Sequence, residues 1–353
     1  MFKSINLLVI VCVIVLSSCK KDNNDPVEVK GDYSASPWVL NEGAFLAGNA
    51  GIDVLYGDGS TIANAYQQVN GTALGDVLQS AIRIGNQAFL VLNGSEKIQI
   101  LDAITLENKG LIQGISYPRH LYSNGNGKIY LSAGNLEGEV VVIDEITKTF
   151  VASIPVGFGP EKMCSFSDKL FVTNSGGWSE DNTLSVISTS SDTEIARLDL
   201  SDRPVDCVCD NDGIVWVLCS GATMYDENWN ITGHSIPVIH KIDSNTLDVL
   251  ASYEIGEEGD HPLHLELSAD GVSVLYLNDG IYVFASNSNP ENAELLIDGM
   301  YSAFNVNPSD GSIWTTSFSD YISSGEVKKF SETGIYLNKW EVGIGPNAVV
   351  FPD

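Results

Sequence analysis

Basic residues are scarce in this sequence. Its 353 residues include 18 lysines and arginines against 46 aspartates and glutamates, which gives a formal net charge of −28 at neutral pH. Such a surface repels phosphate backbones and anionic lipid headgroups. We therefore expect no nucleic-acid partner and no purely electrostatic attachment to a membrane. Hydrophobic residues make up 44% of the chain, which is enough for a packed core and excludes general disorder.

The N-terminal apolar segment is too short to span a bilayer as a helix. It covers residues 5–16, whereas a spanning helix needs about 20 residues. The segment follows Lys3 and precedes the tetrapeptide LSSC at 16–19, which resembles the lipobox of bacterial lipoproteins. Residues 1–18 are therefore predicted to be a lipoprotein signal peptide, with Cys19 as the lipid-attachment residue. An ordinary signal peptide with a chance cysteine is the alternative.

Residues 19–36 lack any hydrophobic periodicity. The stretch KKDNNDPVEVK at 20–30 is polar and contains proline, which predicts a lipidated flexible tether. Lysines and an acid close after Cys19 resemble the export signal of surface lipoproteins in Bacteroidetes-type bacteria. This resemblance implies a protein that is lipid-anchored in the outer membrane and faces the cell exterior.

The cysteines suggest no disulfide framework. Four of them follow the tether, at positions 164, 207, 209 and 219. Cys207 and Cys209 are two residues apart on a predicted strand and therefore share a face. A Cys-x-Cys pair can bind metal, but no histidine stands at ligand spacing nearby. Small buried thiols in a sheet are the favoured interpretation, and no metal site is predicted.

Short strands separated by tight polar turns recur along the chain. Prolines at positions 118, 160, 204, 262 and 346 open successive units, and Asp76 and Tyr301 take the same place in two others. The steps between openers are 42, 42, 44, 58, 39 and 45 residues, a period typical of propeller blades. Each unit contains four strands, such as EKMCSFS, KLFVTN, TLSVIS and EIARLDL after Pro160. Asn-Gly and Asp-Gly turns favour hairpins between the strands.

Seven openers predict seven blades. The last opener, Pro346, is followed by one strand, while the N-terminal part supplies three strands in PWVLN, GIDVLY and TIANAYQQ. One strand plus three completes a blade and removes the exposed sheet edges. Residues 37–353 are therefore predicted to form an all-β, seven-bladed β-propeller. The C-terminal strand is expected to close the ring by pairing with the N-terminal blade.

Particular stretches identify a family resemblance. FVTNSGGWSEDNTLSVIS at 171–188 and VVVIDEITKTFVASIPVGFGPEKM at 140–163 resemble the repeats of YncE-like, YVTN-type propellers. With NEGAF at 41–45, LGDVLQS at 74–80 and YPRHL at 117–121, the chain resembles surface lipoprotein propellers of gut Bacteroidetes. Within that group it is most similar to BtuG-type proteins, which capture cobalamin and cap the transporter BtuB. The resemblance implies a corrinoid as transported ligand rather than cofactor, and a BtuB-like TonB-dependent partner.

Propeller topology places the openers and the loops after second strands on one face, where ligands commonly bind. The openers ring the axis, and the loops stand further out. The unit of 58 residues carries its extra length at 220–235 on this face. Lys162, Asp206, His264 and Asn347 are also expected at the openers. The predicted ligand-binding residues are Phe45, Gln79, Arg119, His120, Glu161, Trp178, Tyr225, Trp229, His261, Tyr301 and Tyr321. Packing against neighbouring blades is the alternative for the aromatic residues.

Signatures of catalysis are missing from the sequence. It has no Walker motif, no G-x-S-x-G motif and no Ala-x-Asp-x-x-x-Gly-x-x-x-Trp repeat of quinone-dependent propeller enzymes. His120, His261 and His264 could bind a metal near the axis, but no carboxylate stands at a spacing that forces contact. The sequence therefore predicts a protein that is not an enzyme and has no cofactor.

These features predict a cell-surface lipoprotein that binds a large small molecule, by resemblance a corrinoid, and delivers it to a TonB-dependent outer-membrane transporter. One alternative is a propeller whose acidic face contacts proteins or glycans in adhesion or assembly. Another is a lactonase-like hydrolase, which would need metal-binding Glu, Asn and Asp residues at the axis that do not align here.

Overall fold

The computed structural model describes residues 31–134 and 136–352. Within them the chain forms thirty strands, of which twenty-eight build seven four-stranded antiparallel sheets and two build a separate hairpin. The predicted signal peptide, Cys19 and the tether up to residue 30 lie outside the described residues. None of the helices in the described ranges is both long and apolar enough to cross a membrane.

The first elements of the described part are three strands and a short helix, and three regular blades follow them. The first elements are β1 (Trp38–Asn41), β2 (Gly51–Leu55), β3 (Thr61–Ile62) and α1 (Ala65–Asn70). Blade 1 contains β4 (Leu78–Ile84), β5 (Gln87–Leu92), β6 (Lys97–Asp102) and β7 (Asn108–Gln113). Blade 2 contains β8 (Pro118–Ser123), β9 (Lys128–Ala133), β10 (Glu139–Asp144) and β11 (Phe150–Pro155). Blade 3 contains β12 (Pro160–Phe166), β13 (Lys169–Asn174), β14 (Thr183–Ser188) and β15 (Thr193–Asp199).

The remaining blades follow in chain order, and the fourth carries an inserted hairpin. Blade 4 contains β16 (Pro204–Cys209) and β17 (Ile214–Cys219), then the hairpin β18 (Thr223–Tyr225) and β19 (Ile231–His234), then β20 (Val238–Asp243) and β21 (Val249–Glu254). Blade 5 contains β22 (Leu263–Leu267), β23 (Ser273–Leu277), β24 (Gly280–Ala285), a 3₁₀ turn (Pro290–Asn292) and β25 (Glu294–Asp298). Blade 6 contains β26 (Ala303–Val306), β27 (Ile313–Ser317), β28 (Ser324–Phe330) and β29 (Tyr336–Ile344), and the final strand is β30 (Pro346–Val350).

Burial explains why the strands of a blade differ in composition. In the middle strand β9, the residues from Ile129 to Ala133 are all buried. Each sheet packs between two neighbouring sheets, so both of its faces are covered and the strand reads as a continuous apolar run. The outer strand β15 alternates between exposed and half-buried residues, which is the pattern of a strand with one face in solvent.

The ring closes as the sequence predicts. Strand β30 pairs antiparallel with β1, from Trp38 opposite Val350 to Asn41 opposite Pro346, and completes the sheet β3-β2-β1-β30. This confirms the seven-bladed propeller and its closure. The third N-terminal strand is shorter than expected from TIANAYQQ, because the chain turns into α1 after β3.

Described residues that precede position 37 contact the propeller. Tyr33 is 5% exposed, and its carbonyl oxygen accepts a hydrogen bond from the indole N–H of Trp38 at 3.1 Å. The Arg83 guanidinium donates to the carbonyl oxygen of Ser36 at 3.2 Å. The predicted tether, residues 19–36, thus overlaps at its C-terminal end with residues that contact the propeller. Tyr33 and Ser36 are packed because the buried Trp38 indole and the Arg83 side chain need backbone acceptors.

A common register defines where each blade begins. The first strand starts opposite the last residue of the second strand, as Pro118 does in blade 2. By this criterion Leu78 and Leu263 hold the opener position in blades 1 and 5. The repeat spacing had suggested Asp76 and Pro262, which precede the ladder by two residues and one residue. Proline spacing alone does not fix strand register, because the connecting segments vary in length.

Candidate functional site

The side chains that follow the opener position line a funnel on the propeller axis. The central funnel has a volume of about 880 Å³. Each blade contributes one such residue to its wall, namely Gln79, Arg119, Glu161, Val205, His264, Ser302 and Asn347.

Arg119 is held from two sides. Its guanidinium donates to both carboxylate oxygens of Glu161 at 2.9–3.0 Å, and to Oε1 of Gln79 at 2.7 Å. Burial opposes ionisation of Glu161, but Arg119 and His120 outweigh it and lower the pKa of this carboxyl to about 2. Gln79, Arg119 and Glu161, all predicted from the sequence, are therefore in direct contact. The charges of Arg119 and Glu161 are paired with each other.

His120 joins the same group. Its Nε2 lies 3.4 Å from Oε2 of Glu161. Burial lowers the pKa of His120, and Glu161 opposes that effect only in part. The lowered pKa favours the neutral imidazole, so the ionic partner of Glu161 is Arg119.

A second charged cluster lies next to the first, because Lys162 follows Glu161 on β12. The Lys162 Nζ atom is 2.7 Å from Oδ2 of Asp206 and 3.3 Å from Nδ1 of His264. Burial opposes the charge on Lys162, but Asp206 and Glu266 outweigh it and raise its pKa. Burial, followed by the positive charge of Lys162, holds the pKa of His264 well below its usual value. A neutral His264 accepts a hydrogen bond from the Lys162 ammonium group at Nδ1.

Glu266 lies deeper, beside a second cavity of about 530 Å³, which we call the lower cavity. Its Oε1 accepts a hydrogen bond from Nδ2 of Asn305 at 3.0 Å, and Oδ1 of Asn305 accepts from the backbone N–H of Val349 at 2.8 Å. Burial raises the pKa of Glu266 to about 7, with Lys162 opposing. The wall thus contains one glutamate that stays ionised and another that titrates near neutrality.

Polar contacts bridge all seven junctions between neighbouring inner strands. We call this set the channel belt, and it consists of Gln79–Arg119, Arg119–Glu161, Lys162–Asp206, Asp206–Leu265, Glu266–Asn305, Asn305–Val349 and Asn347–Leu78. Because each bond joins a different pair of blades, the belt fixes the wall around its full circumference.

Five predicted aromatic residues stand outside the belt, four on loops or turns and one at the end of strand β18, and we call them the rim. They are Phe45, Trp178, Tyr225, Trp229 and Tyr321, and their exposed fractions lie between 48% and 82%. Tyr321 also lines the funnel, 4.9 Å between ring centroids from Phe318. The loop of Phe45 is fastened by Asp76, whose carboxylate accepts from the backbone N–H of Leu46 at 2.9 Å.

The loop that carries Trp178 is tied to the wall. The backbone N–H groups of Ser175 and Gly176 donate to the carbonyl oxygens of Gly159 and Phe158, each at 2.9 Å. The Trp178 ring packs edge-on against Tyr117, with centroids 5.3 Å apart. An exposed ring is thus presented on a fixed backbone.

The long insertion of blade 4 is a β-hairpin rather than an irregular loop. Tyr225 and Trp229 lie at its tip with ring centroids 6.0 Å apart. His261 holds its base, with Nδ1 at 3.0 Å from the carbonyl oxygen of Ser220 and Nε2 at 3.1 Å from Oγ1 of Thr223. His261 therefore lies outside the funnel wall, because it precedes the first strand of blade 5 by two residues.

Tyr301 also lies outside the funnel wall. It precedes the wall residue Ser302, so its side chain points the opposite way, toward Phe330 at 6.3 Å between ring centroids. Its hydroxyl donates to the carbonyl oxygen of Asp298 at 3.0 Å. The structure thus separates Tyr301 and His261 from the other predicted residues of the axis.

Three polar residues of the channel were not predicted from the sequence. Glu42 accepts from Nδ2 of Asn347 at 3.0 Å, and Glu266 and Asn305 form the deeper contact. Glu266 stands two residues after His264 on one strand, so the period of two was an available signal. Glu42 had no comparable signal, because it lies in a loop. Burial raises the pKa of Glu42, and Asn347 opposes this.

No group of three or more His, Cys, Asp or Glu side chains in the described part of the chain is arranged to hold a metal ion. Hydrogen bonds and aromatic rings are therefore the features that characterise this site.

These features define a class, a closed seven-bladed propeller with a polar axial funnel and an aromatic rim. Residues 36–249 match the family model named domain of unknown function DUF5074, which covers more than half of the chain, and the protein belongs to this family. Its sequence has no significant match among curated proteins.

Solved structures with the same fold come from several bacteria. A quinoprotein alcohol dehydrogenase-like protein from Bacteroides thetaiotaomicron is 14% identical, with a TM-score of 0.67 over 92% of this chain and 80% of that one. A functionally unknown protein from Desulfotomaculum acetoxidans is 14% identical, with a TM-score of 0.63 over 91% of this chain and 100% of the other. Hydrazine synthase of Kuenenia stuttgartiensis is 14% identical, with a TM-score of 0.60 over 80% of this chain and 93% of that one. At such identity these similarities show the fold alone.

Proposed function

We propose that the protein binds a large, mostly uncharged ligand across the funnel and rim, and that this ligand is a corrinoid. The observation that carries the proposal is a funnel of about 880 Å³ that opens among exposed aromatic residues on fastened loops. Rings on a fixed backbone offer contact area at a low entropic cost on binding. The resemblance to BtuG-type lipoproteins supplies the ligand class.

Charge pairing in the wall favours an uncharged ligand. Arg119 is engaged by Glu161, and Lys162 is engaged by Asp206. An anionic ligand would have to displace one of these carboxylates, which leaves a buried charge without its partner. A macrocycle with neutral amide arms avoids that cost, because its arms exchange hydrogen bonds with wall side chains such as Gln79 while its faces contact the rim.

Calorimetry with cyanocobalamin and with cobinamide tests the proposal. Loss of a buried aromatic anchor commonly costs about 2 kcal/mol, or roughly a thirtyfold loss in affinity. Trp178→Ala and Trp229→Ala should each weaken binding by that amount. Phe150→Ala is the matched control, because this ring is half exposed on the outer strand β11 and lies away from the rim. Absence of binding heat for the wild type with both probes would refute the corrinoid assignment.

We also propose that Cys19 carries the lipid anchor and that the protein delivers its ligand to a BtuB-like TonB-dependent transporter. Cys19→Ala should release the protein from the membrane fraction, and protease added to intact cells should digest the wild type. Resistance of the wild type would place it on the periplasmic side. Purified protein and transporter should co-elute in detergent by size-exclusion chromatography, and separate elution would contradict the partnership.

A further inference from the structure

Three thiols meet on the inner strands of blades 3 and 4. The Sγ atoms of Cys164 on β12 and Cys209 on β16 are 3.0 Å apart, and both residues are free cysteines. A disulfide bond is about 2.05 Å long, so the two sulfur atoms are separated by about one further ångström. Cys207 belongs to the same packed cluster.

The third thiol is engaged elsewhere. Sγ of Cys207 lies 3.8 Å from the carbonyl oxygen of Lys162 and 3.7 Å from that of Phe171. These backbone acceptors suit a weak S–H donor. The Cys207 thiol also interacts with Cys164, so Cys164 has two thiol neighbours on β16. Cys209 is the neighbour at 3.0 Å and has no second acceptor of this kind in the described part of the chain.

Cys209 is accessible from the channel. It is half-buried, whereas Cys164 is buried, and both line the lower cavity of about 530 Å³. A small reagent that enters the lower cavity therefore has access to the lining cysteines, of which Cys209 is more exposed than Cys164.

We propose that Cys164 and Cys209 form a redox modification site that a small disulfide oxidant converts into an inter-blade disulfide bond. The Cys209 thiolate attacks one sulfur of the oxidant and releases the other as a thiol. Sγ of Cys164 then attacks Sγ of Cys209 and releases the second thiol. The two cysteines lose two protons and two electrons, and the oxidant becomes two thiols.

The bond would reinforce a junction that already exists. Lys162 and Asp206 join the same two strands at 2.7 Å nearer the funnel mouth. A covalent link between Cys164 and Cys209 adds a second attachment and constrains the unfolded chain between them. Burial raises the pKa of the Cys164 thiol, so its attack is slow near neutral pH and faster in alkaline buffer. We expect oxidation to raise the melting temperature by roughly 5 °C.

The experiment uses hydroxyethyl disulfide, a neutral oxidant that the net charge of −28 does not repel. After alkylation of free thiols, tryptic digestion without reductant should yield residues 163–169 linked to residues 198–241. Reductant should separate the two peptides. Unlinked peptides after exhaustive oxidation of the wild type, measured by mass spectrometry, would overturn the proposal.

Matched variants assign the partner, because residues 198–241 contain three cysteines. Cys209→Ala should abolish the linkage and the rise in melting temperature, whereas Cys207→Ala and Cys219→Ala should retain both. Linkage that persists in Cys209→Ala and disappears in Cys207→Ala would refute the assignment of Cys209.

Discussion

The channel wall and the rim share one face of the propeller but are built in opposite ways. In the wall, charged residues such as Arg119 and Lys162 are paired, and the channel belt joins every blade to its neighbours. On the rim, the loop backbones are fastened and most of the rings contact one another or a neighbouring ring, but rings such as Trp229 remain largely exposed to solvent. The wall thus maintains the geometry of the ring, while the rim supplies adaptable contact surface. Changes in the wall should alter stability, and changes in the rim should alter binding.

The largest effect should come from opening the wall. Deleting residues 346–353 removes β30, which pairs with β1, and the belt contacts of Asn347 and Val349. Both sides of the gap then present unpaired strand edges, which favour aggregation. We expect no monomeric folded protein by size-exclusion chromatography and circular dichroism.

The matched control for this deletion removes residues 352–353 alone. It keeps β30 and the contact of Phe351 with Trp314, at 5.8 Å between ring centroids, and should unfold like the wild type. An unchanged melting temperature after the longer deletion would show that the ring does not depend on this strand.

Ring closure was predictable because it depends on counting strands rather than on placing them. The shortening of the third strand could not be predicted in this way. After β3 the chain forms the helix α1, and this helix buries Ala65 and Tyr66 in the core. The packing of the segment before β1 could not be predicted from the sequence either. The carbonyl oxygen of Tyr33 accepts a hydrogen bond from the Trp38 indole only because the fold buries that indole nearby. Sequence patterns report local periodicity, and these features depend on contacts with distant residues.

The candidate site was predictable where strand register was correct. Arg119 and Glu161 were placed together because each directly follows a proline that holds the opener position. Gln79 was included although the predicted opener of its blade, Asp76, precedes the true one by two residues. His261 lies off the wall because it precedes the first strand of blade 5 by two residues, and Tyr301 lies off it because the residue after the opener, Ser302, lines the funnel.

The next largest effect should come from crowding the junction between wall and rim. Gly159 has φ 54°, and a Cβ at this position would collide with the backbone nitrogen of Gly177 beside Trp178. Gly159→Ala should therefore cost several kcal/mol by urea denaturation, more than the roughly 1–3 kcal/mol of backbone strain alone. Gly48→Ala is the control, because Gly48 has φ 62° but open space around it. If both variants lost the same free energy of unfolding, the backbone around Gly159 and Gly177 would have to accommodate the new Cβ atom without an energetic cost.

Glu161→Gln tests charge pairing within the wall. Its carboxyl has a pKa of about 2 in the folded protein against 4.5 for the ordinary value, a difference worth about 3 kcal/mol. Since the folded pKa is depressed, this stability is present above about pH 4.5 and is lost as the pH falls toward 2. The gap between wild type and variant should close over that range in denaturation curves.

The control for Glu161 is Glu107→Gln, which removes an exposed partner of Lys109. Exposed pairs contribute little, so its effect should stay below about 1 kcal/mol at every pH. A gap for Glu161→Gln that remains constant from neutral to acid pH would contradict the pairing argument.

Glu266→Gln should have the opposite sign. The folded pKa of about 7 lies above the ordinary 4.5, so the wild type loses up to about 3 kcal/mol as the pH rises through this interval. Glutamine keeps the oxygen that accepts from Asn305 and removes the titration. The variant should equal the wild type near pH 4.5 and exceed its stability at pH 8. A variant less stable than the wild type at pH 8 would mean that the charge of Glu266 stabilises the wall.

The smallest effect on stability should come from the rim. The Trp229 ring is 82% exposed, and its aromatic neighbour Tyr225 lies 6.0 Å away between ring centroids. Because the ring is in solvent, Trp229→Ala leaves no cavity in the interior. Exposed substitutions of this kind usually change stability by less than about 0.5 kcal/mol, which corresponds to a shift of about 1 °C or less here. The same substitution at the fully buried Trp38 should cost about 3–5 kcal/mol through the cavity it leaves. Differential scanning calorimetry of the two variants compares rim and interior with one chemical change. A large loss for Trp229→Ala would show that the hairpin tip supports the propeller, and the distinction between wall and rim would then not hold.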